Sequence, residues 1–198
     1  MTVNTQPSLV VGILLAAGFS RRFGQQDKLL HPLADGSSVA ETAAQALITA
    51  LPHAVAVVRE ENTALQAALR AQGFVVSKCA ADATEMADSL KLGVQAAQSA
   101  FADATGFVIA LADMPYIQPA TIGKVAHQLR SAAIVQPAVN GQRGHPVGFA
   151  SRFAQALLAV RGDQGAREVL RTHQHEVFLL HCDDQGIVRD IDTLADLD

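Results

Sequence analysis

The amino-acid sequence predicts an α/β fold with a mostly parallel sheet, on three observations. Short apolar runs of strand length alternate with longer stretches rich in alanine and leucine, the order expected of βαβ units. The apolar runs are continuous rather than alternating, as in strands covered on both faces. Glycine and proline sit mostly at the edges of the longer stretches, where helices start and stop.

Leu9–Leu15 (LVVGILL) is the first expected strand, and Val39–Ala50 (VAETAAQALITA) the first expected helix, made almost wholly of helix formers. Ala54–Val58 (AVAVV) is a second apolar run, followed by helical composition over Glu60–Ala71 and again over Met86–Phe101. Gly106–Leu111 (GFVIAL) is a third strand, Pro119–Arg130 a helix, and Ala133–Val139 a fourth strand. The last third is patterned differently. Pro146–Ala150 and Val177–Cys182 are expected strands, Ser151–Val160 and Gly165–Thr172 helices, and Val188–Ile191 a short final strand. Antiparallel additions to the parallel sheet are expected here. There is no internal repeat.

The 198 residues suffice for one large core, and no low-complexity tract or linker divides them, so residues 1–198 are expected to form a single domain. A net charge of -4 and a pI near 5.9 argue against a general nucleic-acid binder, although a few cations can still converge on an anion. Cys79 and Cys182 lie far apart and form no CxxC pair, which fits a reducing cytosol rather than a zinc site or a disulfide framework. Leu9–Ala17 is too short to span a bilayer, and Met1–Ser8 lacks the cations of a signal peptide. The expected location is the cytoplasm, with no membrane partner.

In open α/β sheets ligands bind at the carboxyl ends of the strands. The loop after the first strand runs Leu15-Ala16-Ala17-Gly18-Phe19-Ser20-Arg21-Arg22-Phe23-Gly24-Gln25-Gln26-Asp27-Lys28. Gly18 and Gly24 let backbone N–H groups approach a ligand, and Ser20 adds a hydroxyl. Arg21, Arg22 and Lys28 place three cations within eight residues, with Lys28 expected to be exposed on the loop. Backbone donors, guanidinium forks and a point charge together make a polyphosphate cradle. A GxxxxGK[ST] P-loop is absent, and so is the GxGxxG of nicotinamide and flavin sites.

This loop resembles the signature of sugar-nucleotide-like nucleotidyltransferases, close to LxAGxSxRxGxxK. From Leu15 to Asp192 the chain is similar to the molybdenum cofactor cytidylyltransferases and guanylyltransferases. The resemblance implies a Rossmann-like, three-layer fold with a nucleotide-binding N-terminal half and an acceptor-binding C-terminal half. It implies transfer of a nucleoside monophosphate from CTP or GTP to molybdopterin, with release of pyrophosphate. A recipient molybdoenzyme or its chaperone is the further partner implied. Cytidylyltransferases of this group tend to carry AAG where Ala16-Ala17-Gly18 stands, and guanylyltransferases AGG, which points to CTP.

Gly106–Leu111 runs into Ala112-Asp113-Met114-Pro115, an aspartate at a strand's carboxyl end. A triphosphate brings Mg²⁺, which prefers carboxylate and phosphate oxygens, so Asp113 is the expected metal ligand; the resembled group has a matching DMP segment in that role. The alternative is an ordinary capping or turn aspartate. Asp190 and Asp192 flank Ile191 and on a strand share one side, so either can return to the metal; Asp192 is the second expected ligand. The ending resembles DIDTPxDL, with Leu194 in place of proline. Asp192 or Thr193 capping a terminal turn is the competing reading.

Ser89 stands where the resemblance places a nucleoside contact, and a solvent-facing helix serine is its alternative. Arg143-Gly144-His145-Pro146 matches a Gly-His-Pro turn expected to bind the acceptor, with Arg143 on phosphate and His145 on phosphate or pterin; a histidine that only fixes the turn is the alternative. Gly162–Arg167 caps a helix, and Arg167 is expected to shape the same pocket. His173, His175 and His181 lack metal-ligand spacing. Expected roles are therefore Arg22, Lys28 and Asp113 in catalysis and Leu15 through Gly18, Ser20, Arg21, Gly24 and Ser89 on nucleotide. Rival functions are the same chemistry on a sugar or polyol phosphate, a glycosyltransferase, and a non-catalytic nucleotide- or cofactor-binding protein.

Overall fold

A computed structural model of the chain describes residues 8–18, 27–83 and 85–197. The elements follow as β1 (Leu9–Ala16), α1 (Val39–Ala50), β2 (Ala54–Arg59), α2 (Thr63–Ala71), β3 (Val75–Cys79), α3 (Met86–Ala100) and β4 (Ala104–Leu111). The second half adds α4 (Pro119–Gln128), β5 (Ile134–Val139), β6 (Gln142–Arg143), β7 (Val147–Ala150), α5 (Ala154–Ala159), α6 (Arg167–Thr172) and β8 (Val177–His181).

Among the described residues eight strands form one sheet in the order β3-β2-β1-β4-β7-β5-β6, with β8 also paired to β5. β3, β2, β1 and β4 are mutually parallel. β7 is antiparallel to both β4 and β5, which makes it the main antiparallel addition. β8 extends the sheet parallel to β5. This is the α/β, mostly parallel mixed sheet that the sequence predicts.

Side chains of β1 alternate between two cores. Leu14 and Ala16 join Ala56, Val58, Val108 and Ala110 under α1, α2 and α4. Ile13 and Leu15 join Val55, Val57, Phe107 and Ile109 under α3, α5 and α6. The alternation of a pleated strand thus generates three layers. Local signals set the helix starts. Ser38 and Glu41 form a reciprocal capping box on α1, at 3.2 and 3.0 Å. Asn62 accepts from Leu65 N at 3.1 Å and delays α2 to Thr63, three residues later than its composition predicts.

Two strands escape the apolar pattern. β3 is an edge strand, with Val75 and Lys78 exposed, so it lacks a continuous apolar run. β6 is two residues long and is made by the Asn140-Gly141 turn, whose φ values of 50° and 80° suit a two-residue hairpin. Conversely, the expected strand at Val188–Ile191 does not form. Residues Gln185–Val188 make a 3-10 turn, and the following residues have no ladder partner. The expected Ser151–Val160 helix opens as a 3-10 turn before α5. Among the described residues no helix is long and apolar enough to cross a membrane.

The central strand should carry far more stability than the edge. Leu14→Ala, at a fully buried site on β1, is expected to cost about 2–5 kcal/mol. Val75→Ala on β3, 43% exposed, should stay within about 0.5 kcal/mol of the parent. Denaturant midpoints of the two variants check the contrast.

Candidate active site

β1 and β4 end side by side, with Leu15 opposite Leu111 and Ala112 N donating to the Leu15 carbonyl at 3.1 Å. Parallel neighbours finish on the same sheet edge, so the loops that follow them share one crevice. Lys28 opens a short 3-10 turn, Lys28–Leu30, whose N-cap Asp27 accepts from Leu29 N at 3.0 Å. The sequence places Lys28 on an exposed loop; the structure buries it. Its ammonium donates to Asp113 Oδ2 at 2.8 Å, to the Ile191 carbonyl at 3.0 Å and to Asp192 Oδ1 at 3.2 Å. Burial disfavours the charged amine, but attraction and hydrogen bonds from Asp113 and then Asp192 outweigh it and raise the pKa above the usual lysine value. Lys28 therefore remains an ammonium.

Three residues singled out separately in the sequence thus meet at one point. Asp113 and Asp192, both expected on a metal, here flank the ammonium expected on phosphate. Ser20, Arg21, Arg22 and Gly24 lie outside the described residues. Leu15, Ala16 and Ala17 are buried at the end of β1, and Gly18 is exposed. The Ala17 carbonyl accepts from Arg59 Nε at 2.9 Å, and Arg59 also donates to the Ala80 carbonyl at 3.2 Å. This buried arginine beside Ala17 and Ala80 is not among the residues picked from sequence. Its signal was a single cation closing the otherwise apolar run AVAVVR.

Asp190 and Asp192 do not share one side of a strand, because the backbone bonds here go elsewhere. Ile191 N donates to the Asp113 carbonyl at 2.9 Å, and fully buried Ile191 packs with Val39. Thr193 directly precedes the last turn, Leu194–Leu197, and its carbonyl accepts from Asp196 N at 3.2 Å, which is the position of the competing cap reading. Asp196 Oδ2 accepts in return from Thr193 N at 2.6 Å and from Asp192 N at 3.0 Å. Asp192 is left directed at Lys28, and Asp190 at an adjoining cavity.

That cavity has a volume of about 480 Å³, within the range of small-molecule sites. Leu15 and Met114 line it on the nucleotide-loop side, and Arg143, Gly144, His145 and Arg167 on the other. All three residues expected to bind the acceptor are brought to one wall. Gly144 is needed there: a Cβ would lie 2.2 Å from the Ile187 carbonyl. His145 N donates to that same carbonyl at 2.8 Å. Its ring atom Nδ1 is buried without a hydrogen-bond partner. Burial lowers the His145 pKa to about 4, so the imidazole is neutral at pH 7. Ser89 is buried rather than solvent-facing, and its hydroxyl donates to the Met86 carbonyl at 3.0 Å. Among the described residues no three His, Cys, Asp or Glu side chains group to hold a metal. Asp113 and Asp192 converge as a pair, and one or two carboxylates are what Mg²⁺ takes when phosphates and water complete its shell.

A family model described as the MobA-like NTP transferase domain matches residues 12–177. The chain belongs to the MobA-like NTP transferase family. Membership implies a nucleoside triphosphate substrate and nucleotidyl transfer. This MobA-like chain is 30% identical over 197 residues to the purine catabolism protein PucB of Bacillus subtilis (strain 168), covering 96% of this chain and 94% of that one. It is 28% identical over 205 residues to the nicotine blue oxidoreductase of Paenarthrobacter nicotinovorans, covering 98% and 97%. Among solved structures, Rv0371c of Mycobacterium tuberculosis H37Rv superposes with a TM-score of 0.82 at 27% identity, covering 96% of each chain. Rv0371c has also been solved in complex with manganese.

The half-buried His145, its Nδ1 shut away from water, makes stability depend on pH. In the unfolded chain it gains a proton near pH 6.5, and in the folded chain only near pH 4. Its contribution is therefore complete above pH 6.5 and is lost as the pH falls through about 4, up to about 3 kcal/mol across the window. His145→Gln should lose less stability than the parent between pH 7 and pH 4.5. Parallel urea titrations at the two pH values measure the difference, and equal losses would refute it.

Proposed function

We propose that the chain transfers CMP from CTP to molybdopterin and releases pyrophosphate, with Mg²⁺ as the required cation. The observation that carries this reading is the cluster of Lys28, Asp113 and Asp192 at the shared end of β1 and β4, beside a cavity of about 480 Å³. Family membership supports the triphosphate as donor, and the manganese complex of Rv0371c agrees with a divalent cation. Bound between Asp113, Asp192 and the triphosphate, Mg²⁺ would neutralise phosphate charge.

The acceptor's terminal phosphate oxygen attacks the α-phosphorus, the bond to the β-phosphate oxygen breaks, and pyrophosphate departs. No protein nucleophile is needed, so catalysis is positioning and charge stabilisation. Arg22 and Lys28 neutralise the triphosphate, with Arg21 assisting and the N–H groups of the Ala16–Gly24 loop holding the leaving group. Lys28 turns from Asp192, the longer of its two carboxylate bonds, toward a phosphate oxygen. Ser89 sits beside the nucleoside, where its hydroxyl oxygen can still accept. Arg143, Gly144 and His145 receive the acceptor, His145 as a neutral hydrogen-bonding group.

The test is pyrophosphate release from each nucleotide with purified molybdopterin. CTP should turn over much faster than GTP, because a methyl group at Ala17 is worth about 1–3 kcal/mol of discrimination against a larger base. Ala17→Gly should narrow the preference. A GTP preference overturns the cytidylyl assignment alone. Oxidation of a nicotinamide cofactor without pyrophosphate release overturns nucleotidyl transfer. Chelation should abolish the reaction, and Asp113→Asn should lower turnover on the order of 100-fold. An Asp113→Asn variant with the parent's rate and Mg²⁺ response removes Asp113 from the metal.

A further inference from the structure

Asp184 is a buried carboxylate that the reaction above does not use; it is 4% exposed. Its Oδ2 accepts from Gln118 N at 2.9 Å, and its Oδ1 from Gly186 N at 3.0 Å. Gln118 ends the loop that begins with Asp113 and is the N-cap of α4. Gly186 begins the C-terminal strap that ends with Asp192. Asp184 is thus the N-cap of the 3-10 turn Gln185–Val188 that opens the strap, and its other oxygen fastens that strap to the loop carrying Asp113.

The fastening is tight on both sides. A Cβ at Gly186 would lie 2.1 Å from the Tyr116 carbonyl, and one at Gly144 would lie 2.2 Å from the Ile187 carbonyl. The strap thus runs wedged between the Asp113 loop and the acceptor turn. Ile187, Val188 and Asp190 line the cavity, while Ile191 and Asp192 reach Lys28. An ionised carboxylate suits this post because both oxygens accept, and bonds to its charge are stronger than neutral ones.

We propose that Asp184 is a positioning residue: by tying the strap to the 113–118 loop it sets the separation of Asp113 and Asp192, and so the affinity of the site for a divalent cation arriving with nucleotide. This rests on the metal–nucleotide reading above. The general precedent is that losing a group that orients metal ligands costs about 10–100-fold in metal affinity.

The experiment is a titration of the intact protein with Mn²⁺ in the presence of CTP, read by electron paramagnetic resonance of the free ion. Asp184→Asn keeps the shape but turns an amide NH₂ toward a backbone N–H. It should weaken Mn²⁺ binding about tenfold. Gly186→Ala, which pushes the strap from the Tyr116 carbonyl, should act in the same direction. Leu69→Ala, on the buried face of α2, which packs on α1, β2 and β3, is the control: at a matched loss of Tm it should leave Mn²⁺ affinity unchanged. Hydrogen exchange adds a readout that needs no metal. In Asp184→Asn the amides of residues 186–192, Ile191 included, should exchange faster while those of β1 do not. Folded Asp184→Asn and Gly186→Ala proteins with the parent's affinity and exchange would overturn the proposal. If the parent itself binds no Mn²⁺ with CTP, the metal reading falls and exchange decides alone. Faster exchange confined to 186–192 sustains the fastening role, and unchanged exchange ends it.

Discussion

The site is organised around one ammonium. Lys28 Nζ joins a residue near the start of the chain to the loop after β4 and to the C-terminal strap, spanning 85 and 164 residues of sequence. A buried lysine is tolerated only when its protons are bonded and its charge is met, and three acceptors on two distant segments do both. The same geometry holds two carboxylates near each other, which their mutual repulsion would oppose. Lys28 thus stands as the counter-ion of the pair proposed above to hold Mg²⁺.

The strap explains how the far end of the chain contributes. The described residues after β8 add no strand, yet they wall the cavity and carry Asp192 to Lys28. They do so through single bonds to fixed partners: Asp184 to Gln118 and Gly186, Ile187 to His145, and Ile191 to Asp113. Arg189 lies over the Tyr116 ring at 4.1 Å, an added cation–π contact on the same seam. Glycines at 144 and 186 allow backbones to approach where any side chain would separate them. Stability and site geometry are therefore carried by the same few contacts.

Much of this was legible in the sequence because buried parallel strands need continuous apolar runs. β1, β2, β4 and β5 announced themselves that way, and Asp113 was found by its place at the end of such a run. β3 was missed because an edge strand buries only part of itself. The strap was mistaken for a strand because Val188–Ile191 has the composition of one, while its partners are isolated backbone groups that no local pattern encodes. The Lys28 bridge was invisible for the same reason: each member could be given a ligand-binding role on its own, and only the fold shows that they bond to one another. Arg59 closes the apolar run AVAVVR, whereas Asp184, between Asp183 and Gln185, carries no apolar signal at all. Each proves to be a buried clamp on backbone groups.

The two halves of the site are built with different constraints. Where β1 and β4 end together the sheet places Asp113 just past β4, and Lys28 reaches it from the separate 3-10 turn Lys28–Leu30. The side proposed to receive the acceptor is formed by a turn, a short 3-10 segment and the strap, none of which pairs in the parallel core. The strap belongs to both sides, because it lines the cavity and also carries Asp192 to Lys28. In this chain the acceptor wall combines exposed Arg143 and Arg167 with a His145 whose burial keeps it uncharged. For the acceptor proposed above, that combination offers cations to its phosphate and a neutral hydrogen-bonding group to its body.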